Sequence, residues 1–224
     1  MNPGIIGSFK DCSRICGQSF FLWFPALALC GIMIGMKYHK DILEVIFYAR
    51  GGQGAKSAAE ILAQSALKEG KFVQSFPSFG PERSGAPTKT YLRISNREIR
   101  THEPVVDPDI AVVLDETLLE SEPVTQGLDK NEAIIVNTEM TAQEVKNILR
   151  FDGKVYPTAA NRISMDIVGQ PRPNTVILGK LVQVTEMVKL ESVLEEFRNI
   201  FEAKVGKEIT DKNIAAIEKA YDLI

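Results

Sequence analysis

The chain reads as an α/β protein: a Rossmann-like, mainly parallel sheet with flanking helices and a β-hairpin insertion. Three observations predict this. Runs of β-branched and aliphatic residues at Ile42–Tyr48, Asp109–Leu114, Ala133–Val136 and Lys154–Tyr156 have the composition of strands buried on both faces. Segments with apolar residues three and four apart alternate with them or follow them, as helices covering a sheet do. The first run breaks into Arg50-Gly51-Gly52-Gln53-Gly54 and then an alanine-rich stretch, a strand, glycine turn and helix in succession.

The elements follow in order. Ala55, Ala58, Ala59, Leu62, Ala66 and Leu67 recur at helical spacing, and Lys68-Glu69-Gly70 supplies a glycine stop. Phe72–Phe76 returns as a strand. Thr88–Ser95 alternates well enough to be another, and Asn96-Arg97 is the expected turn into Glu98–Thr101, so the hairpin is expected there. Asp115 stands where it can cap a short helical turn over Glu116–Glu120. Thr138 or Thr141 caps the amphipathic segment Ala142–Leu149. Asn174–Val188, Glu191–Phe201 and Asp211–Leu223 are the remaining helices, the last two with charged outer faces.

In such folds ligands collect at the carboxyl ends of the strands. This selects the loops Ala49–Gly54, the segment after Phe76, Asp115-Glu116, Asn137-Thr138 and Thr158–Asn161. Glycines at the first of these can take positive φ and let the backbone approach a ligand, and the helix behind them offers unpaired N–H groups and a positive dipole end. The Gly-Gly-x-Gly spacing is neither the dinucleotide fingerprint nor the P-loop. The glycines therefore either bind an anion or only shape a tight corner, and Asp115 and Thr138 either contact a ligand or only cap helices. The acidic ribose-binding residue of dinucleotide folds is missing from the strand end at Phe76-Pro77, which disfavours a stand-alone nucleotide-dependent oxidoreductase.

Composition narrows the class. A net charge of −3 without blocks of one sign leaves no electrostatic footprint for nucleic acid. All three cysteines, Cys12, Cys16 and Cys30, precede residue 36, so residues 36–224 have no disulfide framework and no cysteine-ligated cluster. They are expected to form one α/β domain. Residues 1–35 form a hydrophobic N-terminal extension that carries most of an uncharged run from Gly17 to Met36, preceded by Lys10 and Arg14. The run is near the length of a spanning helix, but Pro25 and the glycines interrupt it. The favoured reading makes Met36 the biological start of a cytoplasmic protein and the extension a start-site artefact, and a membrane role is not expected. His39 and His102 are isolated, and no general base or nucleophile is proposed.

A second loop, Ser75-Phe76-Pro77-Ser78-Phe79-Gly80-Pro81-Glu82-Arg83-Ser84-Gly85-Ala86-Pro87, is stiffened by three prolines and holds one acid and one base at its centre. Arg83 could clamp a phosphate or carboxylate through its planar fork, helped by Lys89, or pair with Glu82 or a neighbouring subunit. Taken together, Arg-Gly-Gly-Gln-Gly-Ala at 50–55, Phe-Pro-Ser-Phe-Gly-Pro-Glu-Arg-x-Gly-Ala-Pro at 76–87 and Arg93-Ile94-Ser95 resemble the gamma subunit of 2-oxoacid:ferredoxin oxidoreductases, particularly the pyruvate enzyme. The resemblance extends through Pro108-Asp109, Leu114-Asp115, Gly169-Gln170-Pro171, Asn174-Thr175 and Leu178-Gly179. Two positions depart from the pattern. Ala49 stands where a glycine often precedes the turn, and Ser84 where a second arginine is common, which weakens electrostatic contact with an acidic ligand.

The resemblance implies a heteromeric enzyme that decarboxylates a 2-oxoacid on thiamine diphosphate, passes electrons through iron–sulfur clusters to ferredoxin and leaves the acyl group on coenzyme A. It places thiamine diphosphate and magnesium on the alpha and beta subunits and the 4Fe-4S clusters on beta and delta. The gamma chain then helps form the coenzyme A site and bridges these partners. The residues expected at that site are Gly51, Gly52, Gln53 and Gly54, with Arg83 and Lys89 as phosphate partners. The loop at Phe79–Arg83 resembles pyruvate and branched-chain enzymes more than 2-oxoglutarate ones, and a purely structural bridging subunit is the further alternative.

Overall fold

A computed structural model describes residues 41–78 and 85–223. The N-terminal extension, with its cysteines and apolar run, and the loop centre that contains Arg83 lie outside the described residues. Six strands form one sheet in the order β2-β3-β1-β4-β5-β6. They are β1 (Ile42–Arg50), β2 (Phe72–Ser78), β3 (Pro87–Ser95), β4 (Ile110–Val113), β5 (Ala133–Asn137) and β6 (Lys154–Thr158). The run β1-β4-β5-β6 is parallel, and β3 is antiparallel to both β1 and β2.

The strand residues divide cleanly between two cores because successive side chains point to opposite faces. Leu43, Val45, Phe47 and Ala49 of β1 join Ile110 and Val112 of β4 beneath α1 (Ala55–Lys68), α5 (Pro173–Thr185), α6 (Leu190–Val205) and α7 (Lys207–Asp222). Ile46, Tyr48, Ala111, Val113, Ile134 and Val136 face α2 (Leu118–Ser121) and α3 (Ala142–Leu149). Five of the eight buried residues of α1 are alanines, Ala55, Ala58, Ala59, Ala63 and Ala66, beside Ile61, Leu62 and Ser65, so much of the helix's buried face is small. Gly179 plays the same part between helices, since a Cβ there would lie 2.0 Å from the Ile217 carbonyl oxygen of α7.

The hairpin differs from the expected one. Strand β3 pairs with β2, from Phe72 opposite Ser95 to Ser78 opposite Lys89, and Glu98–Thr101 forms no strand. The reason lies in composition. Phe72–Ser78 brings Val73 and Phe76 to the two cores, whereas Glu98-Ile99-Arg100-Thr101 has a single apolar residue to bury. Arg93 fixes the pairing from a buried position. Its Nε donates to Glu44 Oε1 at 2.6 Å, and Nη1 donates to Gln74 Oε1 and the Glu103 carbonyl, linking β1, β2 and β3 through one guanidinium.

A helix not expected from sequence, α4 (Ala160–Val168), follows β6. Ala159 cannot cap it, and the cap comes from elsewhere: Asn137 Oδ1 accepts the Asn161 N–H while Asn137 Nδ2 donates to the Leu114 carbonyl. Thr141, of the two candidates, caps α3 through a reciprocal box with Glu144. The helix expected over 174–188 runs from Pro173 to Thr185, ending at Glu186 in the left-handed region. Among the described residues no helix is long and apolar enough to cross a membrane.

Candidate functional site

The connection from β1 through α1 moves toward β2 over one face, while that from β4 through α2 moves toward β5 over the other. The strand order therefore reverses between β1 and β4, and a crevice opens at their carboxyl ends. The glycine turn stands at this point. Gly51 N–H donates to the Ala86 carbonyl, and Gln53 N–H closes a tight turn onto the Arg50 carbonyl. Gly52 and Gly54 have φ of 98° and 79°, conformations that cost side chain-bearing residues free energy. They differ in surroundings. A Cβ on Gly52 would meet open space, whereas one on Gly54 would lie 2.5 Å from Asn174 Nδ2.

The turn is held by a polar web. Gln53 Oε1 accepts the Arg50 N–H at 2.8 Å, and Gln53 Nε2 donates to Asp115 Oδ2 at 2.7 Å. Asp115 Oδ1 accepts both the N–H and the hydroxyl of Thr117. Arg50 donates from Nε and Nη2 to Thr117 Oγ1, lies 3.4 Å from Asp115 Oδ2, and reaches the Gly85 carbonyl from Nη1. Burial alone would raise the Asp115 pKa, but the hydrogen bonds from Thr117 and Gln53 and the Arg50 charge together hold it below its ordinary value. The carboxylate is thus ionised at neutral pH. Thr138, the other ambiguous cap, donates to Glu116 Oε2.

Two clefts flank the turn and share Gln53 and Asn161. The first, of about 710 Å³, lies over β4, β5 and β6 and is lined by Asp115, Glu116, Glu139 and Glu144, with Arg162 the one cation among the described residues of the lining. The second, of about 650 Å³, is bounded by Gly52, Gly54, Ser57, the segment Gln170–Thr175, Phe197 and Phe201. Arg172 is the one charged side chain in the lining of this second cleft among the described residues. Its Nη2 donates to Gln170 Oε1, while its Nε is buried without a partner among the described residues. Phe197 and Phe201 stack with ring centroids 4.6 Å apart. Ser164 holds this wall in place, accepting the Arg172 N–H and donating to the Gln170 carbonyl.

The expected site residues are partly brought together. Gly51, Gly52, Gln53 and Gly54 form one turn between the clefts. Lys89 is not beside it: the residue pairs with Tyr48 across β1 and β3, stands 3.4 Å from Glu122, and places Nζ over the Tyr48 ring at 5.1 Å. Both partners belong to the sheet face opposite α1, because the pleat turns residue 89 away from the helix. Arg83 lies outside the described residues. Arg172, at the start of α5, carries no signal in the sequence, standing between the segments Gly169-Gln170-Pro171 and Asn174-Thr175 that bear the resemblance.

A model of the family described as pyruvate ferredoxin/flavodoxin oxidoreductase matches residues 44–223. The chain belongs to that family. Within it the chain is a gamma-type subunit. It is 43% identical over 182 residues to the pyruvate/ketoisovalerate oxidoreductases common subunit gamma of Thermococcus kodakarensis, covering 81% of this chain and 96% of that relative. It is 38% identical over 187 residues to the pyruvate synthase subunit PorC of Thermotoga maritima, covering 84% and 97%. The crystal structure of the pyruvate oxidoreductase subunit PORC from Thermotoga maritima matches with a TM-score of 0.74 at 37% identity, over 82% of this chain and 97% of that one. The 2-oxoglutarate:ferredoxin oxidoreductase of Magnetococcus marinus, solved with 2-oxoglutarate, coenzyme A and succinyl-CoA bound, shares the fold with a TM-score of 0.68 at 19% identity, and the match covers 81% of this chain and 30% of that one. As a gamma subunit the chain does not catalyse alone, so the turn and its clefts are candidate binding elements and not a complete active site.

Proposed function

We propose that this chain is the gamma subunit of a pyruvate:ferredoxin oxidoreductase and supplies part of the coenzyme A site from the glycine turn and the cleft beside Arg172. The observation behind this reading is the electrostatic contrast across the turn. Coenzyme A brings a pyrophosphate and a ribose phosphate. Among the described residues four carboxylates line one cleft and none lines the other, so an anion gains by entering the second. There the exposed Gly52 backbone, the N-terminus of α1 and the Arg172 guanidinium offer donors of the kind phosphates accept, and the stacked Phe197 and Phe201 offer an aromatic wall for a planar base.

The division of labour follows. Thiamine diphosphate, magnesium and the iron–sulfur clusters belong on alpha, beta and delta partners in the cytoplasm, with ferredoxin reached through the complex, and they supply the decarboxylation and electron transfer. Residues of this chain bind and orient the acyl acceptor and bridge the partners. The domain occupies residues 36–224. A second reading, in which the same subunit also serves a branched-chain 2-oxoacid enzyme, is favoured by the relative whose name describes a gamma subunit common to pyruvate and ketoisovalerate oxidoreductases.

Co-expression with the adjacent reading frames tests both. The expected outcome is a stable multi-subunit complex that reduces viologen dye only with a 2-oxoacid and coenzyme A. Arg172→Ala in that complex should raise the KM for coenzyme A about tenfold, as loss of a charge-assisted contact does, with the KM for pyruvate unchanged. A complex that forms while Arg172→Ala and Gly52→Val both leave the coenzyme A KM unaltered would reduce the chain to a structural bridge. Activity with 3-methyl-2-oxobutanoate after exchange of the catalytic partners would support the shared subunit.

A further inference from the structure

We infer that Asp115 is a positioning residue, the brace that locks the glycine turn and the start of β3 into a single unit. The inference rests on the coenzyme A reading above and deepens it. One carboxylate joins elements far apart in sequence. Through Oδ2 it receives Gln53 Nε2, and Gln53 in turn receives the Arg50 N–H at the mouth of the turn. Through Oδ1 it orients Thr117, whose hydroxyl oxygen takes two N–H bonds from Arg50. Arg50 then reaches past the turn to the Gly85 carbonyl, beside the Gly51 N–H to Ala86 bond. Residues 50, 53, 85 and 117 are thus all within one bond, or one shared side chain, of Asp115.

The geometry makes the charge and the two acceptor oxygens necessary. Both oxygens face donors, Gln53 on one side and Thr117 on the other, and Arg50 stands 3.4 Å away. An amide presents one acceptor and one N–H₂ group, so substitution by Asn sets donor against donor on one side whichever way it turns. Asp115 does not need to touch the ligand for this to matter. It lines the acidic cleft, and what it holds is the backbone of the turn that separates the two clefts. Gly52 and Gly54 give that turn no side-chain packing of their own, so its orientation depends on the web.

The test uses the assembled oxidoreductase. Asp115→Asn should raise the KM for coenzyme A about tenfold, the effect of one lost hydrogen bond to a charged group, with kcat within about twofold and the pyruvate KM unchanged. Asp115→Glu, which keeps the charge, should recover part of the loss. Thr117→Val, which removes only the hydroxyl link, should move the same constant by a smaller factor and keeps the test open if Asp115→Asn fails to assemble. Amide hydrogen exchange in the same complexes should accelerate together in peptides covering 50–54 and 85–89. If Arg172→Ala raises the coenzyme A KM while Asp115→Asn alters neither that constant nor the exchange, the brace is overturned and the coenzyme A reading stands. If exchange accelerates but neither variant moves the constant, the coenzyme A reading falls and the positioning role falls with it.

Discussion

Gly54 and Asn174 are in contact across 120 residues of sequence: a Cβ on the glycine would lie 2.5 Å from the asparagine Nδ2 and 2.9 Å from its Cγ. This contact closes the glycine turn onto the start of α5 and so shapes the cleft that Arg172 lines. The three glycines of the turn therefore do different work. Gly51 continues the sheet through Ala86, Gly52 supplies a left-handed backbone in open space, and Gly54 supplies the same backbone under a neighbouring side chain.

That difference predicts unequal costs. Gly52→Ala should destabilise the chain by about 1 kcal/mol, the cost of left-handed backbone alone. Gly54→Ala adds overlap with Asn174 and should cost about 3 kcal/mol. Urea unfolding midpoints of the two variants, at unchanged slope, check the order. Equal losses would mean that Asn174 moves aside freely.

Gly179→Ala is expected to be severe although the residue lies mid-helix, where alanine is ordinarily favoured. The added methyl would meet the Ile217 carbonyl oxygen at 2.0 Å and the Tyr221 nitrogen at 3.0 Å, both backbone atoms that cannot rotate away. Forcing α5 and α7 apart should lower stability by about 2–3 kcal/mol, visible as a drop in Tm.

Arg93→Leu should cost about 3 kcal/mol, because it leaves the Glu44 carboxylate, itself only partly exposed, without its partner and strands Gln74 and the Glu103 carbonyl. Arg93→Leu with Glu44→Leu should recover more than half of that loss, since replacing both charges removes the unpaired one. A double-mutant cycle in urea measures it.

Alkaline stability should bend at Tyr48. Burial, with smaller contributions from Tyr91 and Glu122, pushes its hydroxyl from 10.0 up to about 12, while Tyr48 donates to the Pro123 carbonyl. The unfolded chain releases this proton near pH 10 and the native chain holds it to about pH 12, so native stability falls as pH rises through that window. The loss should reach about 2 kcal/mol at the upper end. Tyr48→Phe should remove that part of the slope, and unfolding free energies of the two proteins compared between pH 9 and 12 test it.

The sheet was legible in sequence because buried parallel strands leave apolar runs, as at Ile110–Val113 and Ala133–Asn137, and because alanine spacing marks α1. What escaped depends on distant partners. Helix α4 lacks a local cap signal, its cap being the side chain of Asn137 on another strand. Asn96-Arg97 reads as a turn and points to the wrong hairpin partner for β3, whereas β2 and β3 are separated by the eight residues 79–86. At the site, the glycines were visible by composition. The separation of Lys89 from them follows from strand pleat, and the place of Arg172 in the second cleft from the folding of residues 170–175 beside the turn, neither of which a linear motif encodes.

The most direct test of the central claim is hydrogen exchange of the assembled oxidoreductase with and without coenzyme A. Protection is predicted in peptides covering Arg50–Ala58 and Gln170–Thr175, with no change across Asn137–Glu144 in the acidic cleft. Protection across Asn137–Glu144 alone, or in none of these segments, would contradict it.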